Sequence, residues 1–237
     1  ALKVKNDYCD LMIMGFVDDD YLEWAIENSI SFFVFTKERL DAVCKVAKNT
    51  SLPARIHIEL ETGMHRTGFV QDDLEYVTKK LHEHAKYIDL EGLCTHFAGA
   101  ESLNNFNRIY NQIATFHRRC SWFHEKGIKP KYKHVSCSAG VLNFPEASMD
   151  LVRVGIANYG FWPNNETKIL HIRNGQFPED PLRQVLSWKS KVMSVNHVGE
   201  DEYVSYGTSY RTNRESKIAT VPVGYGYGFS RNLSNMG

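Results

Sequence analysis

"ARIHIELETGMHRTGF", residues 54–69, decides the reading of the fold. Its first half alternates: Ile56, Ile58 and Leu60 share one face of a strand, and His57, Glu59 and Glu61 share the other, because successive strand side chains point to opposite faces. Its second half is a loop built on Thr62 and Gly63 that carries Arg66 seven residues after Glu59. Taken alone, the stretch also reads as a surface turn with a solvated ion pair. The sharper reading is that Glu59 holds Arg66, so that the guanidinium fork is presented to a ligand at the strand end.

Working outward, short apolar runs alternate with helical patterns. Strands are expected at residues 11–16, 32–36, 55–61, 90–97, 132–138 and 151–160. Between them, "DDDYLEWAIEN" opens on acidic capping residues, and "TKERLDAVCKVAKN" has Thr36 as N-cap with apolar spacing at Leu40, Val43 and Ala47. "QDDLEYVTKKLHEHA" repeats the pattern, and the long "SLNNFNRIYNQIATFHRRCSWFHEKG" stops at Gly127 ahead of Pro130. Strands alternating with helices mean parallel βαβ architecture. The expected class is α/β: an incomplete (β/α)8 TIM-type barrel of about six βα units, followed by an incomplete, mostly-β domain. The boundaries expected are 1–165 for the barrel part, 166–182 for a Pro- and Asn-punctuated linker, and 183–237 for the start of the β-rich domain.

The chain has 237 residues, 43% hydrophobic and 24% charged, with zero formal net charge, so nothing points to nucleic acid or an anionic membrane surface. The longest apolar run, "LMIMGF", is too short to span a bilayer, and the opening residues show no signal peptide. Five scattered cysteines with no CxxC spacing, and dispersed histidines, indicate neither a zinc site nor a disulfide framework. Free thiols suit a reducing, cytoplasmic setting.

Several strands end in ionisable or hydroxylic residues. Cys94 with His96, His134 with Ser136 and Ser138, and Arg153 with Gly155 each line up by alternation, as Glu59 does. In a βα-barrel the site forms at the C-terminal strand ends. A lone buried polar group is usually a hydrogen-bonded core residue, but four at equivalent ends favour a site.

The motifs "LETGMHRTGF", "CTHFAGAE", "HVSCSAGVLNFP", "DLVRVGIANYGFWP", "YVSYGTSY" and "IATVPVGYGYGFSRNLSN" resemble, in order and near spacing, the alanine racemase family of fold-type III enzymes that depend on pyridoxal 5'-phosphate. The resemblance implies a racemase of a small amino acid, L-alanine to D-alanine first and serine or a broader range next. In the family two acid/base groups stand on opposite faces of the substrate Cα. By the resemblance Tyr206 is one of them, reaching the site from a partner subunit of a homodimer, with His96 its neighbour; a phenol that ordinarily titrates near pH 10 needs charged neighbours to act near neutrality. Arg153 matches the arginine at the pyridine nitrogen and His134 the residue orienting it. Ser138, with the backbone of Gly155 and Ile156, matches the phosphate cradle. Arg66 matches the arginine near the phenolic oxygen, and Glu59 stands where many members carry a carbamylated lysine. Tyr225 matches a tyrosine at the site entrance, and the family's role in peptidoglycan supply would follow.

The sequence departs from the family in places. It has no "KANAYGHG"-like segment carrying the lysine that binds the cofactor, and Lys3, Lys5 and Lys37 fit no such motif. By alignment Ala1 falls after the second strand and the C-terminus stops early, so the chain reads as the interior of a longer racemase. A non-catalytic, cofactor-binding homologue is the competing reading. Cys137 stands for an asparagine and Tyr227 for an aspartate of the usual pattern.

Overall fold

The computed structural model describes residues 9–173 and 179–236. Lys3 and Lys5 lie outside the described residues, as does part of the expected linker. The chain divides into two compact units, one running to Val185 and the other from Leu186 onward.

In the first unit, five strands form one sheet: β1 (Met12–Ile13), β2 (Ser31–Val34), β3 (Ala54–Glu59), β4 (Ile88–Cys94) and β5 (Tyr132–His134). They pair in sequence order, all parallel. The crossovers carry α1 (Asp19–Glu27), α2 (Lys37–Thr50), α3 (Leu74–Glu83) and α4 (Phe106–Glu125). This is an arc of a (β/α)8 barrel. Thr36 caps α2, its hydroxyl accepting from the Arg39 N–H at 3.2 Å.

The two faces of the sheet differ in chemistry. Phe32, Val34, Ile56, Ile58, Leu60 and Leu93 join Leu22, Leu40, Val77, Ile109, Phe116 and Phe123 of the helices in one apolar core. Phe33, His57, Glu59, Cys94 and His134 are buried but stand outside that core. The alternation of β3 thus divides apolar from polar as its residues demand.

The loop after β3 is built by polar contacts. Glu61 Oε1 accepts from the N–H groups of Gly63 and His65 at 2.7 and 2.8 Å. Thr62 shares a 2.8 Å hydrogen bond with Thr95, Arg108 donates to the Gly63 carbonyl, and Arg119 to that of Phe69. Phe69 returns to β3, its N–H donating to Glu59 O at 2.9 Å. Gly68 makes the return possible: its φ is +112°, and a Cβ there would stand 2.6 Å from the Glu61 nitrogen.

Two expectations are corrected. Residues 151–160 form no sixth strand; the isolated bridge Cys137↔Arg153 is what remains of it. The Arg153 N–H donates to Ser136 O, but at Gly155 the backbone turns (φ −104°, ψ −90°) into a 3-10 turn over Ile156–Tyr159, and the Gly155 N–H goes to Ser138 Oγ instead of a ladder. Within the expected linker a helix forms, α6 (Asn165–Arg173), after the short α5 (Ser138–Asn143). Asn164, just ahead of the helix, caps α6 by accepting from the Thr167 N–H at 2.8 Å, and the buried Thr167 hydroxyl bonds Glu101 O.

The second unit pairs β6 (Ser194–Val198) with β7 (Ser216–Thr220) antiparallel. Between them the isolated antiparallel bridge Tyr203↔Arg211 encloses a 3-10 turn over Tyr206–Thr208.

Gly68→Ala should destabilise the first unit by about 1–3 kcal/mol, the cost of a side chain at a disfavoured φ, with the backbone clash adding to it. Urea unfolding checks this; an unchanged midpoint would contradict the role given to Gly68.

Candidate functional site at the strand ends

The C-terminal ends of the strands open into a cavity of about 700 Å³. Met14, Phe16, Phe33 and Phe35 form an apolar wall, and Glu59, Arg66, His96, Ser138 and Arg153 supply polar groups. Gly155 and Ile156 line it too, so seven of the residues singled out from sequence meet around one space.

Arg153 is the most constrained of them. Its Nη1 contacts His134 Nδ1 and donates to His134 O at 3.2 Å. Its Nη2 donates to the carbonyls of Thr95 at 2.6 Å and Val135 at 3.1 Å. These carbonyls lie just past the ends of β4 and β5, where a parallel sheet leaves acceptors unpaired. Phe33 lies under the guanidinium, 6.0 Å from its ring centroid. Burial lowers the Arg153 pKa, yet a guanidinium remains charged near neutrality.

His134 does not reach the cavity wall; it stands behind Arg153, fully buried. Ser138 opens α5, and its Oγ accepts from the N–H groups of Gly155 at 3.0 Å and Ala157 at 3.4 Å. A Cβ built at Gly155 meets no atom within 4 Å, so open space lies against this backbone.

Glu59 differs from expectation. Among the described residues no ion pair joins it to Arg66; Glu59 Oε2 instead accepts from the Thr67 hydroxyl at 2.8 Å. The loop itself explains the change. Glu61 pins it, which puts Thr67 over Glu59 and leaves Arg66 on the cavity wall beside His96. The anchors Glu61 and Thr67 were not singled out from sequence, although Glu61 shares the parity of Glu59. Nor were Thr95, His57 and Glu91, which support Arg153 directly or through His134. The parity of "RIHIELE" marks His57; Glu91 carries no comparable signal.

Tyr206 and Tyr225 belong to the second unit and are 94% and 77% exposed. Cys137 lines the cavity, half-buried.

Three histidines of this region are held neutral. Burial, aided by Arg153 and Arg66, pushes His96 down to about 4. Burial also brings His57 to about 4 against the pull of Glu91, and His134 to about 2 with Arg153 adding to the effect. Each pKa is depressed in the folded chain, so below the unfolded value of about 6.5 the unfolded chain binds more protons. Stability should therefore fall as pH drops from 6.5 toward 4, by up to about 1.4 kcal/mol per pH unit for each histidine. Urea unfolding at pH 7 and pH 5.5 measures it; equal stability would contradict neutral burial.

Comparison with known proteins places this geometry. The family model for the alanine racemase N-terminal domain matches residues 1–163, and that for the alanine racemase C-terminal domain matches residues 185–237. Alanine racemase 1 of Oceanobacillus iheyensis is 33% identical over 227 residues, covering 96% of this chain and 58% of the relative. Alanine racemase of Clostridium tetani is 33% identical over 232 residues, covering 96% and 56%. Among solved structures, alanine racemase from Streptomyces coelicolor superposes with a TM-score of 0.83 at 26% identity, over 96% of this chain and 58% of that one. The Bacillus anthracis alanine racemase with bound L-Ala-P gives 0.79 at 34%, over 95% and 56%. The chain spans a little over half the length of the relatives it matches. It belongs to the alanine racemase family.

Proposed function

We propose that this chain is the cofactor-holding part of an amino-acid racemase that uses pyridoxal 5'-phosphate and interconverts L- and D-alanine. The observation carrying the reading is the guanidinium of Arg153, fixed by His134 and three backbone carbonyls at the edge of the cavity. The cofactor, when bound, supplies an electron sink that loosens the Cα proton of an amino acid attached to it.

The residues present suit such a group. Ser138, beside the backbone of Gly155 and Ile156 with open space at Gly155, suits a phosphate. Arg153 has donors and no proton to give near neutrality, so it offers a ring nitrogen a hydrogen bond and leaves it unprotonated. A weaker sink of this kind favours return of the proton to Cα. His96, neutral between two arginines, adds no third positive charge. Arg66 and Arg153 bring two guanidinium groups to the cavity, and a phenol placed against either would give up its proton more readily.

That phenol is Tyr206. Its side chain is 94% exposed, as a group serving a second copy of the chain would be, and Tyr225 is similarly free. The assembly in this reading is a homodimer with shared sites. Glu59 takes the place of a carbamylated lysine as a fixed anion, acting on the loop through Thr67. In this reading the barrel part is 1–165, the linker, which carries most of α6, is 166–182 and the β-rich part is 183–237, and a cytoplasmic setting follows from the chemistry of cell-wall D-alanine supply.

The test is D-alanine formation from L-alanine by the full-length protein with pyridoxal 5'-phosphate. Turnover of serine in preference would change the substrate, and cofactor binding without any turnover would leave a binding protein. Glu59→Gln should lower kcat/KM at least about tenfold, because one charge-assisted hydrogen bond is worth about 1.5–3 kcal/mol. Unchanged kinetics would remove Glu59 from the site.

A further inference from the structure

A file of buried polar side chains continues behind Arg153. His134 Nε2 lies 2.9 Å from His57 Nδ1, with the two rings edge to face. His57 Nε2 lies 3.7 Å from Glu91 Oε2. The other oxygen, Glu91 Oε1, accepts from Arg55 Nε at 2.9 Å and Lys131 Nζ at 3.3 Å. His134, His57 and Glu91 are 0%, 2% and 4% exposed, and Phe33 packs on both imidazoles.

The backbone is built around this file. In the β3–β4 ladder Ile56 pairs with Leu90 but His57 pairs with Gly92, so Glu91 is an extra residue, a bulge that is uncommon between parallel strands. Gly92 has no Cβ, which would stand 2.1 Å from His57 Nδ1. The bulge brings a carboxylate beneath His57, and the glycine makes room for the ring.

We infer that Glu91 and His57 are positioning residues, and that Arg153 and Glu91, at the two ends of the file, fix one hydrogen-bond polarity running from Arg153 through His134 and His57 to the Glu91 carboxylate. The donor inventory dictates the order. A guanidinium can only donate, so His134 Nδ1 must accept. Neutral His134 then carries its proton on Nε2 and donates to His57 Nδ1. His57 in turn carries its proton on Nε2, facing the Glu91 carboxylate, which has no proton to offer. Reversing either imidazole would set two N–H groups against each other in a buried place. Arg55 and Lys131 hold the Glu91 carboxylate in place, so both ends of the file are fixed. The polarity deepens the reading of Arg153 as a ligand-facing donor and rests on it for its use, but not for its test.

The test is nitrogen-15 NMR of the histidine side chains in the full-length protein without cofactor. At pH 7, His57 and His134 should both be neutral with the proton on Nε2. A proton on Nδ1 of either, or a charged ring, would overturn the inference whether or not the protein racemises alanine. Glu91→Gln then isolates the role of the carboxylate. An amide offers one acceptor and one donor, so it cannot accept from Arg55 and Lys131 and from His57 as well. His57 should then leave the purely Nε2-protonated state, while His134, held by the guanidinium, keeps its proton on Nε2 and the amide signals of Phe32 and Ile58 stay in place. Glu91→Asp, which keeps the charge, should retain the wild-type tautomers. A folded Glu91→Gln protein with unchanged His57, or a Glu91→Asp protein in which His57 also changes, would overturn it.

Discussion

The site is organised by the partial burial of one guanidinium, that of Arg153. Taking a charge out of water is costly unless every hydrogen bond is met. Arg153 meets the cost with the carbonyls of Thr95, His134 and Val135 and with the imidazole of His134. The Thr95 and Val135 carbonyls are available because β4 and β5 end just before them, and Arg153 arrives because the segment after α5 runs beside β5, the Asp150 N–H donating to Lys133 O and the Arg153 N–H to Ser136 O, both at 3.0 Å. His134 must then be a neutral acceptor. The same turn past Gly155 that ends the would-be sixth strand brings two backbone N–H groups to Ser138.

On the other side of the cavity the constraint is a carboxylate. Glu61 gathers the turn after β3 by accepting two of its N–H groups, and Gly63 and Gly68 take positive φ values that a side chain would resist. The loop is thereby tied to its own strand by hydrogen bonds, and Arg66 is presented from that frame. Glu59 contributes one step away, through Thr67. The protein thus uses paired anions on one strand face, one for the shape of the loop and one for its contact with the cavity.

Much of this is legible in the sequence, for physical reasons. The period-two pattern of "RIHIELE" assigns the faces of β3 correctly because the strand is regular at its C-terminal end. The helices are legible through apolar spacing, the Thr36 cap and the Gly127 stop. Residues 151–160 mislead because "LVRVGIANYGF" has strand composition, while the hydrogen bond that diverts it, Gly155 to Ser138, spans 17 residues. The helix α6 is hidden because Pro and Asn mark loops and N-caps alike. Glu91 is hidden because a bulge shifts the parity of β4. The pairing of Glu59 with Thr67 in place of Arg66 depends on loop geometry, which alternation cannot supply. The family motifs brought Ser138, His96 and Arg153 together on paper, and the cavity brings them together in space.

The central claim is that the strand ends hold a ligand-facing guanidinium opposite a phosphate cradle. The most direct measurement is a crystal structure of the full-length protein with pyridoxal 5'-phosphate. The account predicts the phosphate against Ser138 and the backbone of Gly155 and Ile156, with the pyridine nitrogen on Arg153 and His134 still behind it. A phosphate bound elsewhere, or a ring turned so that Arg153 faces no nitrogen, would contradict it.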